Sequence, residues 1–142
     1  MRPTQPGIDL SQTYVHIEDN GRASPVPVTD DFWALLSTGG GDREDIRRIA
    51  AGGWMVGTFP CTETWSQWEM HPDGEEIVVL LSGSVDFVLE EPAGERLIEL
   101  RGRSTVVVPR GAWHRAIVHE PGEMLHITFG RGTEHRPLEA AT

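Results

Sequence analysis

From Gly53 onward the chain is written in short apolar runs broken by turn residues. "GWMVGTF" (53–59), "WSQWEMH" (65–71), "EIVVLLS" (76–82) and "SVDFVLEE" (84–91) come first, then "RLIEL" (96–100), "STVVV" (104–108), "HRAIVH" (114–119) and "EMLHITFG" (123–130). Turn signals at Asp73-Gly74, Ser82-Gly83, Pro92-Gly94, Arg101-Gly102, Pro109-Gly111 and Pro121-Gly122 separate them. Short strands at this regular spacing predict an all-β sandwich or barrel. "SVDFVLE" alternates, with Val85, Phe87 and Leu89 on one face and Ser84, Asp86 and Glu90 on the other, so it reads as a strand with one wet face. "EIVVLL" is apolar on both faces and predicts a central strand covered on both sides.

Before Gly53 the pattern differs. Residues 1–25 are polar with scattered Pro and Gly and read as an arm. "DDFWALLSTGGG" (30–41) predicts a short helix, with Asp30 as N-cap and the glycines as its stop. "DREDIRRIAAG" (42–52) predicts a second helical turn leading into the first strand of the barrel. There is no internal repeat, low-complexity tract or linker, and 142 residues suffice for one domain with its own core. The expected organisation is an N-terminal arm and short helix packing on the barrel (1–52), the barrel itself (53–130) and a C-terminal tail (131–142). "YVHI" and "VPV" in the arm are expected to pair on a neighbour's sheet edge, which implies a homodimer.

Charge narrows the partners. The formal net charge is −10 and the pI about 4.9, which argues against nucleic acid, whose binding needs a basic patch. No apolar run approaches a membrane span, and "MRPTQPGIDLSQ" lacks the apolar core of a signal peptide, so the expected setting is the cytoplasm and not a membrane. Cys61 is the one cysteine, so no intrachain disulfide can form, and it reads as a bystander thiol. Arg101, Arg103, Arg110 and Arg115 are the one cationic concentration. They read as solvated loop charge, with Arg110 or Arg115 facing an anionic ligand as the sharper alternative.

The candidate chemistry lies in "WSQWEMHPDGEE" (65–76). Glu69 and His71 are two apart and share a strand face. The Pro-Asp-Gly turn brings the chain back, so that Glu75 and Glu76 open the next strand. A carboxylate beside a histidine across such a turn suits Mn, Fe, Ni or Zn. In "PRGAWH" a rigid Pro-x-Gly turn places His114 at a strand start, a way to hold a ligand from a distant segment. Singly, each residue has a bland reading: a half-buried strand histidine, a solvated acidic pair, a surface histidine. Their joint spacing carries more.

That spacing resembles the cupin superfamily, in particular its small single-domain members. The first cupin motif runs Gly-x5-His-x-His-x(3,4)-Glu-x6-Gly, and "HPDGEEIVVLLSG" supplies His71, Glu76 and Gly83 at the matching intervals. Glu69 stands in the first histidine position and Glu63 in that of the leading glycine. The second motif runs Gly-x5-Pro-x-Gly-x2-His-x3-Asn, and Pro109, Gly111 and His114 match its centre. Gly102 lies one residue too far upstream, and Val118 stands in the asparagine position. The likeness covers residues 53–130.

The resemblance implies a cupin-type double-stranded β-helix, or jelly roll, with a metal at one mouth. Carried over by position, the ligands are His71, Glu76 and His114, with Glu69 in the fourth place. Two histidines and a carboxylate are the set used by non-haem Fe(II) oxygenases. Glu69 has three alternatives: a second carboxylate ligand that leaves the cluster neutral, a base, or the partner of an arginine. Strand parity sends Val78 and Leu80 the same way as Glu76, and Ala116 and Val118 the same way as His114, which suggests them as pocket lining. His126 is a further candidate for the pocket, and Trp113 a candidate aromatic lid. The implied function is a metal-dependent, dioxygenase-like enzyme on a small organic molecule. An isomerase or decarboxylase would use the same ligands. The alternatives are a non-enzymatic binding or sensing barrel and an assembly scaffold, because one fold hosts many chemistries.

Overall fold

The computed structural model describes residues 2–139; of the expected tail, 140–142 lie outside the described residues. Two long strands organise it. β5 spans Glu76–Glu91 and β8 spans His114–Thr128, and they pair antiparallel over nearly their whole length. Each was expected as two strands, because Ser82-Gly83 and Pro121-Gly122 read as turns. The two glycines instead meet across the ladder. Gly83 has φ +90°, and a Cβ on Gly122 would lie 1.9 Å from the Ser82 carbonyl oxygen. The register shifts between Leu80 and Val85, so the turn residues became a bulge at which the pair bends without parting.

The bend divides the molecule into two sheets that share these strands. On one, the first half of β5 pairs with the second half of β8 and with β7 (Thr105–Val108), while β8 also pairs with β3 (Trp54–Cys61). On the other, the second half of β5 pairs with β6 (Gly94–Arg101) and the first half of β8, and β8 meets β4 (Gln67–Met70) at His114. This is the expected all-β jelly roll, closed around an apolar core. The core holds Val78, Leu80, Val85, Phe87, Leu89, Leu100, Val106, Val108, Ala116 and Met124. The alternation read in "SVDFVLE" is realised, with Val85, Phe87 and Leu89 buried. "EIVVLL" is central, between β7 and β8, but only its Val78 and Leu80 face is fully covered, and Leu81 is exposed.

The arm is not a loose lead-in. β1 (Thr13–Ile17) pairs with β3, and β2 (Ala23–Pro27) pairs with β1, extending the first sheet. The segments expected to reach a neighbour's edge are thus spent within their own chain. β2, now the outermost strand, carries Pro25 and Pro27, which lack the N–H needed for further pairing. The dimer expectation loses that basis.

α1 (Phe32–Ser37) and α2 (Glu44–Ala51) form where expected, each shorter than the segment read for it. Asp31 rather than Asp30 holds the N-cap position of α1, without a capping hydrogen bond from its side chain. Phe32, Ile46 and Ile49 point down onto Tyr14 and Val26 and make a second apolar core over the sheet. The end of the chain holds the other departure: β9 (Glu134–Pro137), expected as tail, pairs with β4 over Gln67–Met70. Among the described residues, no helix is long and apolar enough to cross a membrane.

Candidate metal centre

Three strand ends and one turn assemble the site. Glu69 lies on β4 directly opposite His114, the first residue of β8. His71 follows β4 by one residue, and Glu76 opens β5 after the Pro72–Gly74 turn. The Pro109–Ala112 turn is tied to this corner by the Gly111 N–H, which donates to the His71 carbonyl at 2.9 Å. One ligand atom from each of Glu69, His71, Glu76 and His114 falls within 4.8 Å of the other three. His71, Glu76 and His114 are buried, and Glu69 is partly so.

The four histidine–carboxylate distances in the cluster are short. His71 Nε2 lies 3.1 Å from Glu69 Oε1 and 3.3 Å from Glu76 Oε2. His114 Nε2 lies 3.5 Å from Glu69 Oε1 and 3.3 Å from Glu76 Oε1. Despite these distances, His71 Nε2, His114 Nε2 and Glu76 Oε1 are buried without a properly aligned hydrogen-bond partner. Donors about 2.0–2.2 Å from one shared ion at tetrahedral or octahedral angles lie about 3.0–3.5 Å from one another. The four residues fit a divalent metal on both counts.

The far sides of the rings are already committed. Thr133 Oγ1 donates its one proton to the Gly130 carbonyl at 2.7 Å, so it accepts from His71 Nδ1–H at 2.8 Å. His114 Nδ1–H donates to the Ala112 carbonyl at 3.0 Å. With Nδ1 protonated in both, a neutral ring carries its lone pair on Nε2, facing the cluster. Phe87 stacks on the His114 ring, 5.5 Å away and 20° off parallel. Thr128 Oγ1 donates to Glu76 Oε2 at 2.6 Å, and His126 Nδ1 stands 3.5 Å from the same oxygen. Glu69 turns its second oxygen to His135 Nε2 at 3.1 Å.

With no metal, the four groups titrate against each other. Burial disfavours the charged forms of His71 and His114, but the facing Glu69 and Glu76 outweigh it and push each imidazole up to about 9. Burial raises the two carboxyls, but the histidines around them overcompensate and hold both well below the usual carboxylate range. The metal-free state is therefore two imidazoliums against two carboxylates, with no net charge.

A cavity of about 670 Å³ opens beside the cluster, within the range of small-molecule sites. Glu69, His71 and Glu76 form its polar floor, and His126 and Thr128 continue it. Of the residues expected to line a pocket, His126 does. Val78, Leu80 and Ala116 share the faces of Glu76 and His114 but belong to the barrel core, with Val118 packed against them. Trp113 is not a lid. It lies under the Arg136 guanidinium, 4.5 Å from its ring centre. Arg136 also covers Trp68 at 5.3 Å, as does Arg115, so Arg115 faces a tryptophan rather than an anion, and Arg110 is exposed. Trp68 is buried under these cations.

Thr133 and His135, which hold His71 and Glu69, went unnoticed in the sequence. "TEH" at 133–135 sits in a short polar stretch with no apolar alternation. The one available signal was the further histidine.

No family model and no curated protein matches the chain. Solved structures do. One is a cupin-2 domain-containing protein of Shewanella frigidimarina, 17% identical, with a TM-score of 0.46 over 53% of this chain and 69% of that one. Oxalate oxidase matches at 15% identity and a TM-score of 0.49, covering 57% of this chain but under half, 45%, of its own. Oxalate decarboxylase of Bacillus subtilis, a protein with Mn(II) centres, matches at 15% and 0.48, over 60% of this chain and 24% of its own. The barrel has the jelly-roll arrangement that the motif resemblance implies. Its shared bent strands β5 and β8, and the places of His71, Glu76 and His114 at one mouth, are where the cupin motifs lead. The departure at Glu69 keeps the place of a cupin histidine while changing the donor from nitrogen to oxygen.

Proposed function

We propose that this chain is a metal-dependent enzyme, dioxygenase-like, acting on a small organic molecule held in the cavity beside Glu69, His71, Glu76 and His114. One observation carries the reading. Two imidazole nitrogens and a carboxylate oxygen are buried without aligned partners in a group whose four residues, Glu69 included, bring ligand atoms within 4.8 Å of one another, while the far sides of both rings are tied down. Buried polar groups rarely stay unpaired unless something else satisfies them. A bound divalent ion would supply Lewis acidity and, for Fe or Mn, redox chemistry at an open coordination position.

The protein supplies the rest. His71 and His114 present preset nitrogen lone pairs. Glu76 is oriented by Thr128. Two carboxylates with two neutral imidazoles cancel the charge of a divalent ion and favour the harder Mn and Fe over Cu, with Ni and Zn also within the donor set. Glu69, reaching both the cluster and His135, is the one member of the four that is partly exposed.

A non-enzymatic binding barrel has one observation in its favour: the same four residues balance their charges with no metal. Elemental analysis of protein purified without added metal separates the two. Bound Fe or Mn near one equivalent, with O2 uptake on aromatic or keto substrates, supports the enzyme. Metal below a tenth of an equivalent after reconstitution would falsify it.

A further inference from the structure

The cavity's walls come from two parts of the chain. Trp33 and Leu36 on α1 and Ile49 on α2 face Met55 and Phe59 on β3, and Trp65 closes the side toward the cluster. The aromatic groups run up to the polar floor. Phe59 meets His126 edge-on at 4.6 Å, and His126 in turn faces Glu76. Trp65 lies 6.2 Å from the His114 ring, and Trp33 lies 5.7 Å from Phe59. A ligand over the cluster therefore lies among aromatic side chains from the cap, β3 and the segment before β4.

Among the described residues, the basic side chains that line the cavity beyond the candidate ligands are already engaged: His135 with Glu69 at 3.1 Å and His126 beside Glu76 at 3.5 Å. The chain has twelve Lys and Arg residues and a net charge of −10. Among the described residues, Arg131 is the one of these that lines the cavity, and its Nε is bound to Asp73 at 2.8 Å. The polar floor instead presents the carboxylates of Glu69 and Glu76. A carboxylate ligand would give up its hydration and face two carboxylates with no unpaired arginine beside them, and the acidic surface would slow its approach.

We infer that the cavity takes an uncharged aromatic molecule bearing a hydroxyl or carbonyl oxygen, and discriminates against its carboxylate analogue. The inference rests on the functional reading above for what becomes of the molecule, but not for its binding. The ring would lie among Trp33, Phe59 and Trp65, with the oxygen toward His126, Thr128 and the cluster. The α1–α2 segment, outside the cupin motifs, is then the specificity element.

Calorimetric titration at neutral pH with 2-naphthol and 2-naphthoate, on metal-free and on zinc-loaded protein, tests this. Naphthol should bind saturably in both forms, and naphthoate at least about tenfold more weakly, the equivalent of one buried charge left unpaired at the low end. Trp33→Ala, at a half-exposed position, should weaken naphthol about fivefold through the lost aromatic contact. Ser37→Arg, an exposed position on the cavity rim, should narrow or invert the preference. Equal or tighter naphthoate binding, no saturable naphthol binding, or a preference unmoved by Ser37→Arg would each overturn the proposal. Failure to hold metal sinks the enzymatic reading instead, and leaves the metal-free titration standing.

Discussion

The barrel and the N-terminal cap bury apolar surface in different ways. The barrel core is aliphatic and lies between sheets that share two bent strands, so its geometry is locked by long ladders at both ends. The cap is a cluster of rings: Tyr14, Phe32, Trp33 and Phe59 pack with centroids 5.1 to 5.9 Å apart, under two short helices. Every candidate ligand belongs to the barrel, and none to the cap. The cap supplies walls instead. A ladder can hold four donors to within a few tenths of an ångström, whereas a helix over a sheet can vary its side chains without disturbing them. Chemistry and selection are thereby carried by separate parts of one chain.

The largest expected effect falls on the barrel alone. Because His71 and His114 have pKa values of about 9 without metal, a metal ion must displace their protons. Below that pH, uptake should release about two protons per ion, with affinity climbing up to about 100-fold per pH unit and flattening above 9. For the metal-free protein the sign reverses. The raised histidine values give stability that is full below their ordinary 6.5 and is lost as pH rises through 9. The lowered Glu69 and Glu76 values give stability that is present above the ordinary 4.5 and is lost as pH falls toward their folded values. Metal-free protein should thus be most stable between these ordinary values. Chelator competition and urea melts across pH 5–10, and proton release in weakly buffered titrations, check both signs; flat metal affinity from pH 6 to 9 would break the assignment.

Next comes removal of a nitrogen donor. His114→Ala and His71→Ala should lower metal affinity by more than about 100-fold, since even changes behind the ligands cost about 10- to 100-fold. Each also strands buried carboxylates, at a cost on the order of 3–5 kcal/mol to the metal-free fold. Glu69→Gln, which keeps the shape and drops one charge, should cost less than either. Full metal content in the histidine variants would refute the site.

The cap predicts the converse. Phe32 is fully buried, and Phe32→Ala should destabilise by about 3–5 kcal/mol. Hydrogen exchange should rise in α1 and α2 while the paired halves of β5 and β8 stay protected, and metal content should hold. Loss of metal here would erase the division between the regions.

The smallest expected effects test the tail. Thr133→Val frees His71 Nδ1, and His135→Ala frees the outer oxygen of Glu69. Each should lower metal affinity about 10-fold or somewhat more with little change in the urea midpoint. His135→Gln should recover most of the loss, because an amide can still donate.

By itself the sequence determined what short-range pattern can encode. Alternation assigned the faces of Val85, Phe87 and Leu89. The Pro-x-Gly turn placed His114, and the intervals from His71 to Glu76 and Gly83 marked one mouth of a barrel. Each is a relation among residues a few positions apart, where backbone geometry leaves little choice. Tertiary structure decided the rest. Gly83 and Gly122 look like turns until each is seen to make room for the backbone of the facing strand. Strand parity put Val78 and Leu80 on the face of Glu76 but not at its depth, because a face runs the length of the strand and the cavity ends at its first residue. Thr133 and His135 have no local mark, since what they do depends on β9 lying beside β4, some sixty residues earlier in the chain. The cavity wall is set by helices whose docking on β1 and β3 follows from ring packing. Local pattern reports which way a side chain points; what it meets there depends on segments far along the chain, and only the folded molecule brings them together.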